Sequence, residues 1–280
     1  MRRCVHFVLA AAVALSLALA GCSTDSVKVA SQPEPTVVTR ISGSGTCTPL
    51  LRLLTDTYDG SDVEWRFLPG LHSGGGITGV ASGELEIGAV SRELKPEEEA
   101  LGLTYTKISN DGIVIAVHPS VTLQGLTTQQ VRDIYSGAYD NWQELGGPDL
   151  PIVILDRNED ESAKIVLRKH VLGDDLVIAA EAVSLFYEVD MVQGVESTAG
   201  AIGYFSLGYG ISKDIQVRFL DLDGVTPSVA NIANGSYPVV RPLGVVTAPD
   251  AGPQIDAFLE WATSAKAAEL IESNGFAAAR

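Results

Sequence analysis

Short β-rich runs alternate with amphipathic helical stretches along most of this chain, which restricts it to an α/β architecture with parallel strands. Residues 37–41 read as a strand that runs into the turn Gly43-Ser44-Gly45. A helix is expected over about 49–58, with Leu50, Leu51, Leu53 and Leu54 apolar, Thr48 as its cap and Pro49 at its first position. Residues 64–68 form the next strand, and Ser73-Gly74-Gly75-Gly76 opens a helix through Ile77, Val80 and Ala81. Strands at 86–90 and 112–117 complete a βαβαβ order, expected to make a parallel sheet. From Thr127 the scheme repeats, with a helix over 127–135, a strand over 151–155, a helix over 161–171 and a strand over 201–205. A long helical pattern occupies 253–275.

With 280 residues, 46% hydrophobic and 19% charged, the chain can bury one large or two modest cores. Acids outnumber bases, 35 Asp+Glu against 19 Lys+Arg, for a formal net charge of -16. A general nucleic-acid binder needs a basic footprint, and docking on anionic lipid needs surface cations, so neither is expected. Cys4, Cys22 and Cys47 have no zinc-type spacing and make no disulfide framework.

The amino terminus carries Arg2 and Arg3, then residues 7–20, apolar apart from Ser16. That is the length of a secretory signal and too short to span a bilayer. Its end, Leu19-Ala20-Gly21-Cys22, resembles the lipobox of bacterial lipoproteins, which implies a signal peptide over 1–21 and a lipid on Cys22. Residues 22–36 read as a flexible tether. Cys47 is left without a partner and is expected to be buried.

Candidate ligand groups cluster where helices begin. Ser44, Thr46 and Thr48 flank one helix start, Ser73 and its glycines another, and Arg157 with Ser162 a third, while Ser91-Arg92 follows a strand. Helix N-termini present unpaired N–H groups and partial positive charge, so several of them converging would make an oxyanion site. Gly43-Ser44-Gly45 is neither a Walker loop nor a dinucleotide fingerprint. Past the signal, His72, His118 and His170 have no metal-ligand spacing, and neither HExxH nor GxSxG occurs. No enzyme activity, cofactor or metal is expected.

Five segments together resemble the phosphate-binding lipoproteins of ABC transporters: ISGSGTCTPLLRLLTDTY, SGGGITGVASGELEIGAVSREL, LTTQQVRDIYSGAYDNWQELGGPDLPIVILDRNEDES, GAIGYFSLG and RPLGVVT. The resemblance covers nearly all of 38–276. It implies a two-lobed, periplasmic-binding-protein-like (type II) fold, with one lobe from 37–112 plus 214–280 and the other from 113–213. It also implies a hinged cleft that traps a dehydrated anion, with Thr48, Ser73, Gly74, Ser91, Arg92, Arg157 and Ser162 as its ligand residues. The expected partners are inorganic phosphate and ABC permease subunits, on a monomer held outside the cytoplasm by its lipid. Alternatives are another small oxyanion (sulfate, molybdate, arsenate) or a non-transporting sensor or surface protein of the same fold.

The chain departs from this family at two places. Some members place an aspartate beside the serine after Gly-Ala, where it accepts a proton from phosphate; here Ser91 is followed by Arg92. Many members follow the arginine with a Gly-Ser-Gly-Thr helix start; here Arg157 is followed by Asn158-Glu159-Asp160-Glu161-Ser162. A carboxylate about 5 Å from one unit of ligand charge costs on the order of 3 kcal/mol at an effective dielectric near 20. These acids must therefore turn away from the anion, or one must accept its proton.

Overall fold

The computed structural model describes residues 37–60 and 62–279. The apolar run 7–20, Cys22 and the tether 22–36 lie outside the described residues.

Eight strands form the backbone of the sheet: β1 (Val37–Gly43), β2 (Val63–Phe67), β3 (Ile87–Val90), β4 (Thr104–Val117), β5 (Val153–Arg157), β6 (Val183–Leu185), β7 (Ala201–Ser206) and β8 (Val240–Thr247). Their spatial order is β2-β1-β3-β8-β4-β7-β5-β6. β1 is parallel to β2 and β3, and β5 is parallel to β6 and β7, as alternating helices require. The expectation of a purely parallel sheet fails at the centre, where β8 runs antiparallel to β3 and β4, and β4 antiparallel to β7. β4 is the longest strand, and it serves two partners. Thr104–Gly112 pairs with β8, and Ile113–Val117 pairs with β7. The chain thus crosses from one α/β half to the other at Asp111–Ile113.

Each half has its own core. Ile41, Leu50, Leu54, Ile87, Leu243 and Phe258 lie in the first, and Val114, Trp142, Ile154, Ile202, Tyr204 and Phe205 in the second. Residues 220–239, expected with the first lobe, instead contribute Leu220, Leu222, Ile232, Tyr237 and Val239 to the second core.

The helices that position the site are α1 (Cys47–Thr57), α2 (His72–Ala81), α3 (Thr128–Tyr135), α4 (Ser162–Leu167) and α5 (Glu188–Ser197). α3 begins with a capping box in which the Thr127 side chain accepts from Gln130 N. The helix expected over 161–171 divides into α4 and a π-turn, Arg168–Leu172. The carboxy-terminal helical pattern also divides, into α6 (Pro253–Ala262) and α7 (Ala265–Ser273), because Ser264 caps a new helix. Among the described residues, no helix is long and apolar enough to cross a membrane.

Candidate functional site

Two strand ends and one helix start of the first half deliver serine hydroxyls to one point. β1 ends at Gly43, with φ +132°, where a Cβ would lie 2.3 Å from Ala89 O. Only glycine lets the chain turn so close over β3. Ser44 follows, and its Oγ donates to Ser91 Oγ at 2.8 Å. Ser73, in the first turn of α2, accepts from Ser91 N at 3.2 Å and lies 3.4 Å from Ser91 Oγ. All three serines are buried. α2 has no side-chain cap, so no capping side chain takes up its first-turn N–H groups. Its first residue, His72, has φ +55°, uncommon for a side chain of this size and costing about 1–3 kcal/mol.

The second half contributes Arg157 at the end of β5, 5% exposed. Its Nη2 donates to Phe186 O at 3.0 Å and pairs with Glu161 Oε2 at 2.8 Å, while its buried Nε has no partner. A polar network fixes the arginine from behind. Arg157 N donates to Tyr204 Oη at 3.0 Å, and Tyr204 donates to Asp156 Oδ1 at 2.8 Å. The fully buried Lys164 donates to both Asp156 oxygens, at 2.7 and 2.6 Å. Burial, with Asp156 nearby, pushes the Tyr204 hydroxyl well above its ordinary range, so it stays a protonated donor. α4 then begins at Ser162, whose Oγ donates to Ser91 O of the first half at 2.8 Å.

A charged cluster sits where the halves cross. Arg241 on β8 and Asp111 on β4 are register partners. Arg241 Nε and Nη2 donate to Asp111 Oδ2 at 3.0 and 2.9 Å, and Ser206 Oγ donates to Asp111 Oδ1 at 2.7 Å. Arg241 Nη1 reaches Ser162 Oγ at 3.2 Å, and Nη2 lies 3.6 Å from Glu188 Oε1. Glu188 accepts from Ser206 N at 2.8 Å and from Thr46 Oγ1 at 3.3 Å. Burial pushes the Asp111 carboxyl above its usual range, opposed by Arg241 and reinforced by Glu188.

These groups surround a cleft of about 860 Å³ walled by both halves. Ser73, Gly74, Ser91, Arg92, Arg157 and Ser162 all line it. Thr48 does not, because α1 starts two residues earlier than expected. Thr48 therefore falls inside the first turn, and its Oγ1 donates back to Ser44 O at 2.9 Å. Thr46 takes its place on the cleft wall. Arg92 lines the cleft with its charge already balanced, both terminal nitrogens lying 2.7 Å from the oxygens of Glu98. The three acids after Arg157 separate. Glu159 turns away to Arg168, Asp160 lines the cleft, and Glu161 faces inward, with Oε1 3.3 Å from His72 Nδ1 across the cleft. Sequence reasoning missed Glu188, Arg241 and Asp111. The one available signal was that Arg241 opens the segment RPLGVVT, a charge within an otherwise largely apolar strand.

Cys47 is buried, its Sγ 3.4 Å from Gly244 O, and burial pushes its thiol up to about 12. A thiol so protonated is a poor nucleophile.

Two α/β halves joined by crossing strands, with a ligand-sized cleft between them, define a two-lobed binding-protein fold. The chain belongs to the PBP superfamily, whose domain model matches residues 30–266. It is 29% identical over 203 residues to the phosphate-binding protein PstS of Bacillus subtilis, covering 71% of this chain and 66% of that protein, just under two thirds of its length. It is 22% identical over 250 residues to PstS of Borreliella burgdorferi, covering 85% and 89%. A phosphate ABC transporter substrate-binding protein of Clostridium perfringens, solved with bound phosphate, superposes with a TM-score of 0.75 at 28% identity, covering 87% of this chain and 100% of that one.

Proposed function

We infer that this protein captures inorganic phosphate outside the cytoplasm, in the cleft between its lobes, and delivers it to an ABC permease. One observation carries the reading: a buried arginine with an unpartnered Nε shares a cleft with the hydroxyls of Ser73, Ser91 and Ser162 and the uncapped start of α2. Such groups bind a desolvated oxyanion by charged hydrogen bonds rather than by net charge. The names of the relatives support the choice of phosphate and a binding role rather than catalysis. The lobes are assigned as 37–112 with 240–280, and 113–239, following the two cores and the crossing of β4 and β8. Closure brings the walls together through Ser162–Ser91, Glu161–His72 and Glu188–Thr46, contacts that already span the cleft.

Calorimetric titration of the purified protein with phosphate, arsenate, sulfate and molybdate tests this reading. Phosphate and arsenate retain a proton near neutrality that Glu161 or Glu188 can accept, and they bind. Sulfate and molybdate have no proton to give, and the same carboxylates repel them. Sulfate binding as tight as phosphate binding would sink the assignment.

The protein is further assigned a lipid anchor on Cys22, because Leu19-Ala20-Gly21-Cys22 ends a short apolar run. Several acyl chains anchor a protein stably where one does not. Cys22→Ala is expected to move the protein from the membrane fraction to the soluble fraction, and a variant that stays in the membrane like wild type would show that the lipobox is not used. The bound form is assigned as a monomer.

A further inference from the structure

Every arginine at this cleft already faces a carboxylate. Arg157 pairs with Glu161 at 2.8 Å, Arg92 with Glu98 at 2.7 Å, and Arg241 with Asp111 at 2.9 Å. Among the described lining residues Lys95 is the remaining permanent cation, against Asp160 and Glu188. The cleft thus offers a ligand many hydrogen-bond donors but no surplus of positive charge. Arg157 lines this cleft, and its buried Nε has no partner among the described residues. Two carboxylates of the lining, Glu161 and Glu188, have a partner at each oxygen, but a carboxylate offers about four acceptor sites, so both can still accept from an occupant of the cleft. A dianion with a single proton satisfies one of them and is repelled by the other. A monoanion with two protons satisfies both.

We propose that the cleft takes the monoanion, dihydrogen phosphate, with Glu161 and Glu188 each accepting one of its two protons. The proposal rests on the phosphate reading above and narrows it to one ionic form. Around Glu161 stand Arg157 from β5, His72 from α2 and the adjacent Asp160. Around Glu188 stand Thr46 ahead of α1, Asp111 on β4, Ser206 on β7, Tyr209 beyond it and Arg241 on β8. Of these groups only His72 is a side chain whose ordinary titration falls near neutrality. It is therefore the one protein group that can imitate a titration of the ligand.

The test is calorimetry with inorganic phosphate at pH values on both sides of its second ionisation, on wild type and on His72→Gln. Only the doubly protonated fraction binds, so the apparent Kd rises about tenfold for each pH unit above that ionisation. His72→Gln keeps this slope. Glu161→Gln and Glu188→Gln, which remove one charge and one acceptor each, flatten it by admitting the dianion. Phosphate binding that is flat or tighter as pH rises overturns the proposal and leaves the phosphate reading standing. A slope that vanishes in His72→Gln assigns the proton to the histidine and also overturns it. Absence of phosphate binding at every pH overturns the phosphate reading itself.

Discussion

Arg157→Ala weakens oxyanion binding by at least about tenfold, and the protein stays folded. A hydrogen bond to a charged group contributes roughly 1.5–3 kcal/mol, and about 1.4 kcal/mol is one decade in affinity. A second effect adds to the first. Glu161 Oε2 loses its 2.8 Å partner and keeps only His72 at 3.3 Å, so an unbalanced carboxylate faces the incoming anion. At about 5 Å that repulsion is on the order of 3 kcal/mol for an effective dielectric near 20, enough, added to the first, to carry the loss toward a thousandfold. The double variant Arg157→Ala/Glu161→Gln then recovers part of the affinity, since two residues in direct contact are not additive. Arg66→Ala, an exposed arginine beside Glu64, leaves binding unchanged. Titration calorimetry reads the affinity, and a thermal melt confirms folding. If Arg157→Ala binds as tightly as wild type, the segment after β5 has been turned to another use.

What the sequence made legible, and what it did not, follows from the range of the interactions. Ser73, Ser91 and Ser162 could be picked out because each lies at a junction of strand and helix, and glycines mark the first of these. Arg157 could be picked out because, with Ser162, it flanks the start of a helix. Local pattern failed where a two-residue shift decides direction. Moving the start of α1 from Pro49 to Cys47 turned Thr48 away from the cleft and brought Thr46 onto its wall. It failed again at α4, where Lys164 looks like a surface charge but is fully buried on Asp156, eight residues earlier. Arg241 was out of reach altogether. Its partners Asp111, Ser162 and Glu188 are 130, 79 and 53 positions away in the chain, and only the crossing of β4 and β8 brings them together. The antiparallel centre of the sheet escaped for the same reason, since strand order and direction are set by pairings that no local periodicity records.

Arg241→Met is expected to be the most damaging single change to stability. Both side chains of the Arg241–Asp111 pair are at most 1% exposed. Removing one member of a buried pair leaves an uncompensated charge and costs about 3–5 kcal/mol. The loss depends on pH, with a sign that identifies its origin. Burial already raises the Asp111 carboxyl above its usual range, and without the arginine it rises further. The folded variant then holds a proton that the unfolded chain has released, so its stability falls as pH rises through the folded-state value and recovers in acid. Urea midpoints measured against pH should therefore show the gap from wild type widening from acid toward neutrality. Adding Asp111→Asn removes the stranded charge and restores most of the stability, because a buried pair replaced whole costs far less than one broken. It does not restore binding. Ser162 Oγ has lost its 3.2 Å contact with Arg241, and Glu188 its 3.6 Å neighbour, so two groups of the cleft wall are no longer held from the crossing strands. The double variant separates the two roles of this cluster, as a stable protein that binds weakly. If Arg241→Met alone is as stable as wild type at neutral pH, the pair is not the buried clasp described here, and Asp111 is already protonated in the native protein.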